Sequence, residues 1–199
     1  MTKISDLLKR FFHPNVETKA DNQVSDIHSI ISQLKIDSQK HTNVGPVLTP
    51  QEIQEIESRL GLKLSPSYRL FLQEFGDGAY WLYGRQPMDS IRKPVWFIDI
   101  HPQAQEVLST DHGESVRTDK LLCLMSEDSN SGSWCWITSR PDAEGEFPLA
   151  YYGFAEEGIL SEGGLFYELS GFKVWLNLLS INKDEVIRVL DRDGKLILG

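Results

Sequence analysis

Between residues 48 and 78 the chain commits its backbone to a helical corner, and the rest of the sequence has to be fitted around it. Thr49-Pro50-Gln51-Glu52 is a capping box: the Thr49 hydroxyl can accept from the Glu52 amide while the Glu52 carboxylate reaches back. Pro50 stands at the first helical position, where its missing N–H costs nothing. Leu48 and Ile53 are spaced as a hydrophobic staple. Ile53, Ile56 and Leu60 then form one apolar stripe, and Gly61 offers a left-handed stop. Ser65-Pro66 starts a second helix by the same logic, with Tyr68, Phe71, Leu72 and Phe75 at i, i+3, i+4 and i+7. Gly76-Asp77-Gly78 ends it. The aromatic face is read as core, holding the corner against whatever follows.

Beyond Gly78 the texture becomes β. Residues 80–83, 95–100, 121–125, 134–137 and 149–154 are rich in aromatic and aliphatic side chains and are bounded by Gly, Pro, Asp, Asn and Ser. Polar hairpin connections are expected over 126–133 and 138–146. Consecutive strands joined this way favour an antiparallel sheet, because parallel pairs need long crossovers. Residues 103–119 read as an irregular excursion. A helix returns near Phe172, Trp175, Leu176 and Leu179. The end, flanking Asp191-Arg192-Asp193-Gly194, suits either a terminal hairpin or a helix over 183–190.

Residues 1–47 read as an N-terminal helical extension and linker, and 48–199 as the main domain. Ile4, Leu7, Leu8, Phe11 and Phe12 recur at helical spacing until Pro14. Val24, Ile27, Ile30, Ile31 and Leu34 form a second amphipathic pattern, and 37–45 is polar. The first ten residues carry charges too early for a secretory signal, and no run approaches the roughly 20 apolar residues of a membrane helix. A cytoplasmic protein without a membrane association is expected.

The net charge of -9 is unevenly distributed. Residues 126–168 hold nine acids against one base, Arg140, and so carry -8 of it. Phosphate backbones demand a dense Lys/Arg surface, so nucleic-acid binding is not expected. A basic protein partner is compatible with the charge, as is an acidic surface that serves solubility.

Residues arranged for catalysis are sparse. The five histidines show no metal-ligand spacing with one another or with the cysteines. Asp128-Ser129-Asn130-Ser131-Gly132 and Asp191-Arg192-Asp193-Gly194 lack the sixth-position Gly of a calcium loop. Phosphate-binding Gly-Lys loops and the Gly-x-Ser-x-Gly elbow are missing. No cofactor, metal or catalytic residue is assigned, and an enzyme is not expected. Cys123 and Cys135 lie in apolar runs. They read as reduced core thiols on strands, with a disulfide between neighbouring strands as the alternative.

The order of these pieces resembles the SUKH superfamily, which includes fungal regulators of cell-wall synthesis and many bacterial immunity proteins. The likeness rests on Leu48-Thr49-Pro50-Gln51-Glu52-Ile53, on Glu57-Ser58-Arg59-Leu60-Gly61-Leu62-Lys63-Leu64, and on Leu64-Ser65-Pro66-Ser67-Tyr68-Arg69-Leu70-Phe71-Leu72 followed by Phe75-Gly76-Asp77-Gly78. A weaker echo lies in Ser131 to Ile137 and Leu149 to Gly153, where Gly132-Ser133 replaces a common Gly-Asp. The resemblance implies an α+β fold, an antiparallel curved sheet of about five or six strands flanked by short helices. It also implies function by protein binding, either as an immunity-type protein neutralising a toxin domain or as a regulatory scaffold. The residues assigned to partner binding are Asp77, Trp81, Glu127, Asp128, Asp142, Glu144, Glu146, Glu156 and Glu157. The acids fall at expected strand ends, where several on one face would make a negative surface. Trp81 would be an aromatic anchor, or else a strand residue half-buried for packing.

Overall fold

The structure, a computed structural model, describes residues 26–81, 86–110, 113–126, 132–153, 164–182 and 186. Helix α1 (Ile27–His41) runs directly into strand β1 (Thr42–Val44). Residues 37–45, expected as a linker, thus supply helix and strand: β1 pairs with the strand after the corner, Val44 opposite Ala79. Such pairing uses backbone groups, which polar residues supply as well as apolar ones.

The corner itself consists of α2 (Pro50–Leu60) and α3 (Pro66–Glu74). At the start of α2 the Glu52 amide donates to Thr49 Oγ1 at 3.2 Å, and the Thr49 amide donates to Glu52 Oε2 at 2.8 Å. Gly61 stops the helix at φ 69°, a conformation open to glycine at little cost. Gly76, after α3, lets the turn approach β1: a Cβ there would collide with the Gly45 carbonyl.

The strands are β2 (Ala79–Trp81), β3 (Gln86–Met88), β4 (Val95–Trp96), β5 (Val107–Ser109), β6 (Ser115–Arg117), β7 (Leu121–Ser126), β8 (Gly132–Ile137), β9 (Leu149–Gly153) and β10 (Gly164–Leu169). A short helix α4 (Phe97–Ile100) follows β4, and α5 (Phe172–Asn182) follows β10. The central sheet has five antiparallel strands in the order β10-β9-β8-β7-β4. A second sheet is β1-β2-β3, and β5-β6 form a separate hairpin. The fold is α+β, with an antiparallel sheet flanked by short helices.

Two further expectations differ from this arrangement. Residues 95–100 read as one strand, but only Val95 and Trp96 pair with β7, and Phe97–Ile100 turns into helix. Residues 103–119 read as irregular, yet they carry the β5-β6 hairpin. Each of those strands buries one residue, Leu108 or Val116, which leaves too short an alternation to read. Whether residues 183–199 form a hairpin or a helix falls outside the described residues, apart from the buried Val186.

The sheet is buried on both faces, which explains why Trp134-Cys135-Trp136-Ile137 shows no polar alternation. On one face Leu122, Leu124, Trp134, Trp136, Leu149, Tyr151 and Leu169 pack with α1, α2, α3 and α5 in the larger core. Tyr68 meets Trp136 edge-on at 4.6 Å and Phe172 at 4.9 Å, so the aromatic face of α3 is core. On the other face Leu121, Cys123, Cys135, Ile137, Ala150, Tyr152 and Leu165 are covered by Phe97 of α4 and by Leu108 and Val116. Helix α1 is integral to the larger core through Ile30, Ile31 and Leu34.

Candidate functional site

Each acid assigned to partner binding can be followed to its surroundings. Asp77 lies inside the molecule, its side chain only 1% exposed. Its carboxylate accepts from Ser90 Oγ at 2.6 Å and from the Ile91 amide at 2.7 Å, fastening the turn after α3 to the segment before β4. Arg92 adds a cation at 3.7 Å and also reaches Glu52 of the capping box at 2.6 Å. In this conformation Asp77 is a structural anchor and offers no surface to a partner. Trp81 pairs through its backbone with Thr42 and Gln86; its side chain lies outside the described residues.

The connection between β8 and β9 holds three of the acids. Asp142 Oδ1 accepts from the amides of Glu144 and Glu146, both at 2.8 Å, which shapes the loop from within. Glu146 reaches across 79 positions to the start of α3 and accepts from the Ser67 amide and hydroxyl, both at 2.7 Å. A carboxylate there satisfies an orphan amide and opposes the positive end of the helix. The hydroxyl of the natural capping residue, Ser65, makes no bond to its own helix and accepts instead from the Phe147 amide at 3.0 Å. Loop and helix therefore cap each other. Glu144 remains on the surface, and its carboxylate has no hydrogen bond or ion pair among the described residues.

Register decides which acids share a place. Ser126 lies opposite Ser133, Gly132 opposite Gly153, and Gly153 opposite Gly164, so the chain leaves and re-enters the sheet at one end at these positions. Ile137, Leu121 and Leu149 mark the other end, where the loop with Asp142, Glu144 and Glu146 connects. Glu127, Asp128, Glu156 and Glu157 belong to connections that leave from the first end, and they lie outside the described residues. Successive connections in a meander alternate ends, so the connections whose sequences carry the assigned acids depart from strand ends on both sides of the sheet. The stretches joining the strand ends at the first end, 127–131 and 154–163, contain in sequence Glu127, Asp128, Glu156, Glu157 and Glu162 and no Lys or Arg. The one base of residues 126–168, Arg140, is held at the opposite end of the sheet by Glu114 and by Glu168, the latter at 2.9 Å.

Sequence reasoning missed a second acidic site, at the corner. Glu57 is buried, its side chain 2% exposed, between Lys63 at 2.8 Å and Arg69 at 3.6 Å, and it accepts from the Leu64 amide at 3.0 Å. Burial pushes its pKa up, but the Lys63 and Leu64 hydrogen bonds and the Arg69 charge outweigh this and hold it below the ordinary glutamate range. The signal was present: Glu57 stands at i+4 from Ile53 and i−3 from Leu60, an acid on an apolar stripe. An open groove of about 970 Å³ runs beside it, lined by Gln51, Gln54, Ser58, Lys63 and Arg69 among others. Among the described residues no cluster of three or more His, Cys, Asp or Glu is placed to hold a metal ion.

No curated protein matches the chain closely enough to count as a relative. A family model does match: residues 47–178, well over half of the chain, fit the model of the SMI1 / KNR4 family (SUKH-1). The match begins one residue before the staple leucine Leu48 and ends within α5, so it spans the corner, the central sheet and the first part of the closing helix. On that extent the chain belongs to the SMI1 / KNR4 family (SUKH-1).

Proposed function

We propose that this protein is an immunity-type binder, cytoplasmic and not an enzyme, that neutralises a basic toxin domain by direct contact with the acid-rich end of its sheet. The carrying observation is the register that brings Ser126, Gly132, Gly153 and Gly164 to one end, the strand ends joined by two stretches whose sequences hold five acids and no Lys or Arg. Family membership supports a protein-binding role, and the net charge of -9 favours a cationic protein over a nucleic acid. Among the described residues no helix is long and apolar enough to cross a membrane. A field of one sign accelerates association by about ten- to a thousand-fold at low salt and loses that advantage as salt rises.

The test is binding and protection against the toxin domains encoded beside this gene. The full chain should bind one of them, with an association rate that falls steeply with salt. The combined variant Glu127→Gln, Asp128→Asn, Glu156→Gln, Glu157→Gln should associate about tenfold more slowly or worse. A Glu144→Gln variant, at the other end, should behave as the parent. If no neighbouring toxin domain binds, the reading is overturned; if both variants are equally affected, the choice of surface is.

The alternative, a regulatory scaffold, would use the N-terminal extension to hold an endogenous partner, since a dedicated inhibitor needs no such arm. Since α1 belongs to the core, residues 1–25 alone are left to that argument. Toxin protection that survives their removal supports the first reading, and loss of an endogenous partner on removal supports the second.

A further inference from the structure

Cys123 and Cys135 face each other at the centre of the sheet. They are cross-strand partners in the β7-β8 register, and their Sγ atoms are 3.2 Å apart, both thiols free. Directly opposed residues of antiparallel strands have Cα atoms about 4.5–5.5 Å apart. That falls within the roughly 4.4–6.8 Å a disulfide accepts, and the sulfurs must close to about 2.05 Å. The register breaks immediately afterwards, between Cys123 and Met125, so the backbone beside the pair is already irregular and can absorb the small adjustment. Both thiols point to the smaller core, whose cover is thin: the four-residue α4 and the three-residue strands β5 and β6. Cover of that kind belongs to the parts of a fold that open locally at low cost.

The geometry points to a latent cross-strand disulfide between Cys123 and Cys135, formed reversibly by exchange with a small-molecule disulfide once the α4 and β5-β6 layer opens. One cysteine gives up its thiol proton and attacks the reagent, forming a mixed disulfide and releasing one small thiol. The facing cysteine then attacks the protein-side sulfur of that mixed disulfide and releases the second small thiol. Two protons and two electrons pass to the reagent, whose S–S bond breaks as the protein's forms. In the closed state burial, then the Cys123 contact, push the Cys135 thiol well above its usual range, which keeps it protonated and makes opening the slow step. The closed loop runs from Cys123 to Cys135 and includes Ser126 and Gly132, so oxidation staples the root of the β7-β8 hairpin. None of this depends on the partner proposed above.

The probe is 2,2′-dipyridyl disulfide added to the native full chain, followed by released thione and intact mass. The expected result is slow release of two thiones per chain and a monomer lighter by two hydrogens, with no retained adduct. Dithiothreitol should restore both thiols, and the oxidised chain should melt at a higher temperature, because a closed loop restricts the unfolded state. Cys135→Ala and Cys123→Ala should each stop at one thione with one stable pyridyl adduct. A native chain that does not react, or that retains adducts, or that forms only disulfide-linked dimers overturns the proposal. So does an oxidised chain that melts lower than the reduced one.

Discussion

At the residue scale the informative groups are the buried or half-buried acids, because their charge has to be compensated. Glu57 is compensated. Its lowered pKa means that its contribution is fully present above the ordinary glutamate value of about 4.3 and is lost as pH falls through the folded value. Glu57→Gln should lower stability by about 1–3 kcal/mol at neutral pH, since the Leu64 amide and the Lys63 ammonium lose a charged acceptor. The gap to the parent should narrow in acid, measurable by urea titrations from neutral pH down to about pH 3. Asp89 is the opposite case. Burial raises its pKa, because it disfavours the carboxylate relative to the unfolded chain in water. Its contribution is therefore favourable below the ordinary aspartate value of about 3.9 and is lost as pH rises through the folded value. Asp89→Asn should melt higher than the parent at neutral pH and show no gain once the parent's Asp89 is protonated. An unchanged or lower melting temperature at neutral pH would count against the burial argument.

The element scale shows what a cap can be made of. For α2 the cap is local, and Thr49→Ala should cost about 1 kcal/mol. For α3 it is not: the helix begins with a Ser-Pro that reads as a self-capping start, yet its amide donor goes to Glu146 on a distant loop. Glu146→Ala should cost about as much as losing a local cap, on the order of 1–2 kcal/mol. It should also loosen the loop between β8 and β9, seen as faster amide exchange at Glu144 and Phe147. In a double-mutant cycle, Glu146→Ala and Ser67→Ala should couple, whereas Glu146→Ala and Thr49→Ala should add. Sequence-local capping rules found the first helix start completely and the second only in position. The partner of the second was 79 residues away and could not be read from spacing.

The described sheet is a shared wall between two unequal cores, and α1 belongs to the larger one. Ile31 is fully buried, so Ile31→Ala should cost about 2–5 kcal/mol. Removing residues 1–45, which takes away Ile30, Ile31, Leu34 and β1, should abolish the cooperative thermal transition altogether. A truncated chain that still melts cooperatively would show that α1 is an accessory after all. Much of this was legible beforehand. The α2-α3 corner, the aromatic stripe of Tyr68, Phe71 and Phe75, and the strands around Cys123 and Cys135 follow from short-range rules (capping geometry, helical and strand periodicity, turn residues), while the α+β class is what the resemblance to the SUKH superfamily implies. Short-range rules act over a few positions, which a sequence displays directly. What the tertiary structure alone decided is where the charges and polar contacts end up. Asp77 is buried under Ser90 and Ile91, Glu146 closes a helix from across the fold, and Arg140 is held by Glu114 and Glu168. Each of these depends on strand register and on segments meeting from far apart in the chain. Such pairings are chosen by the packing of the whole fold, and the residues involved carry no local mark of them.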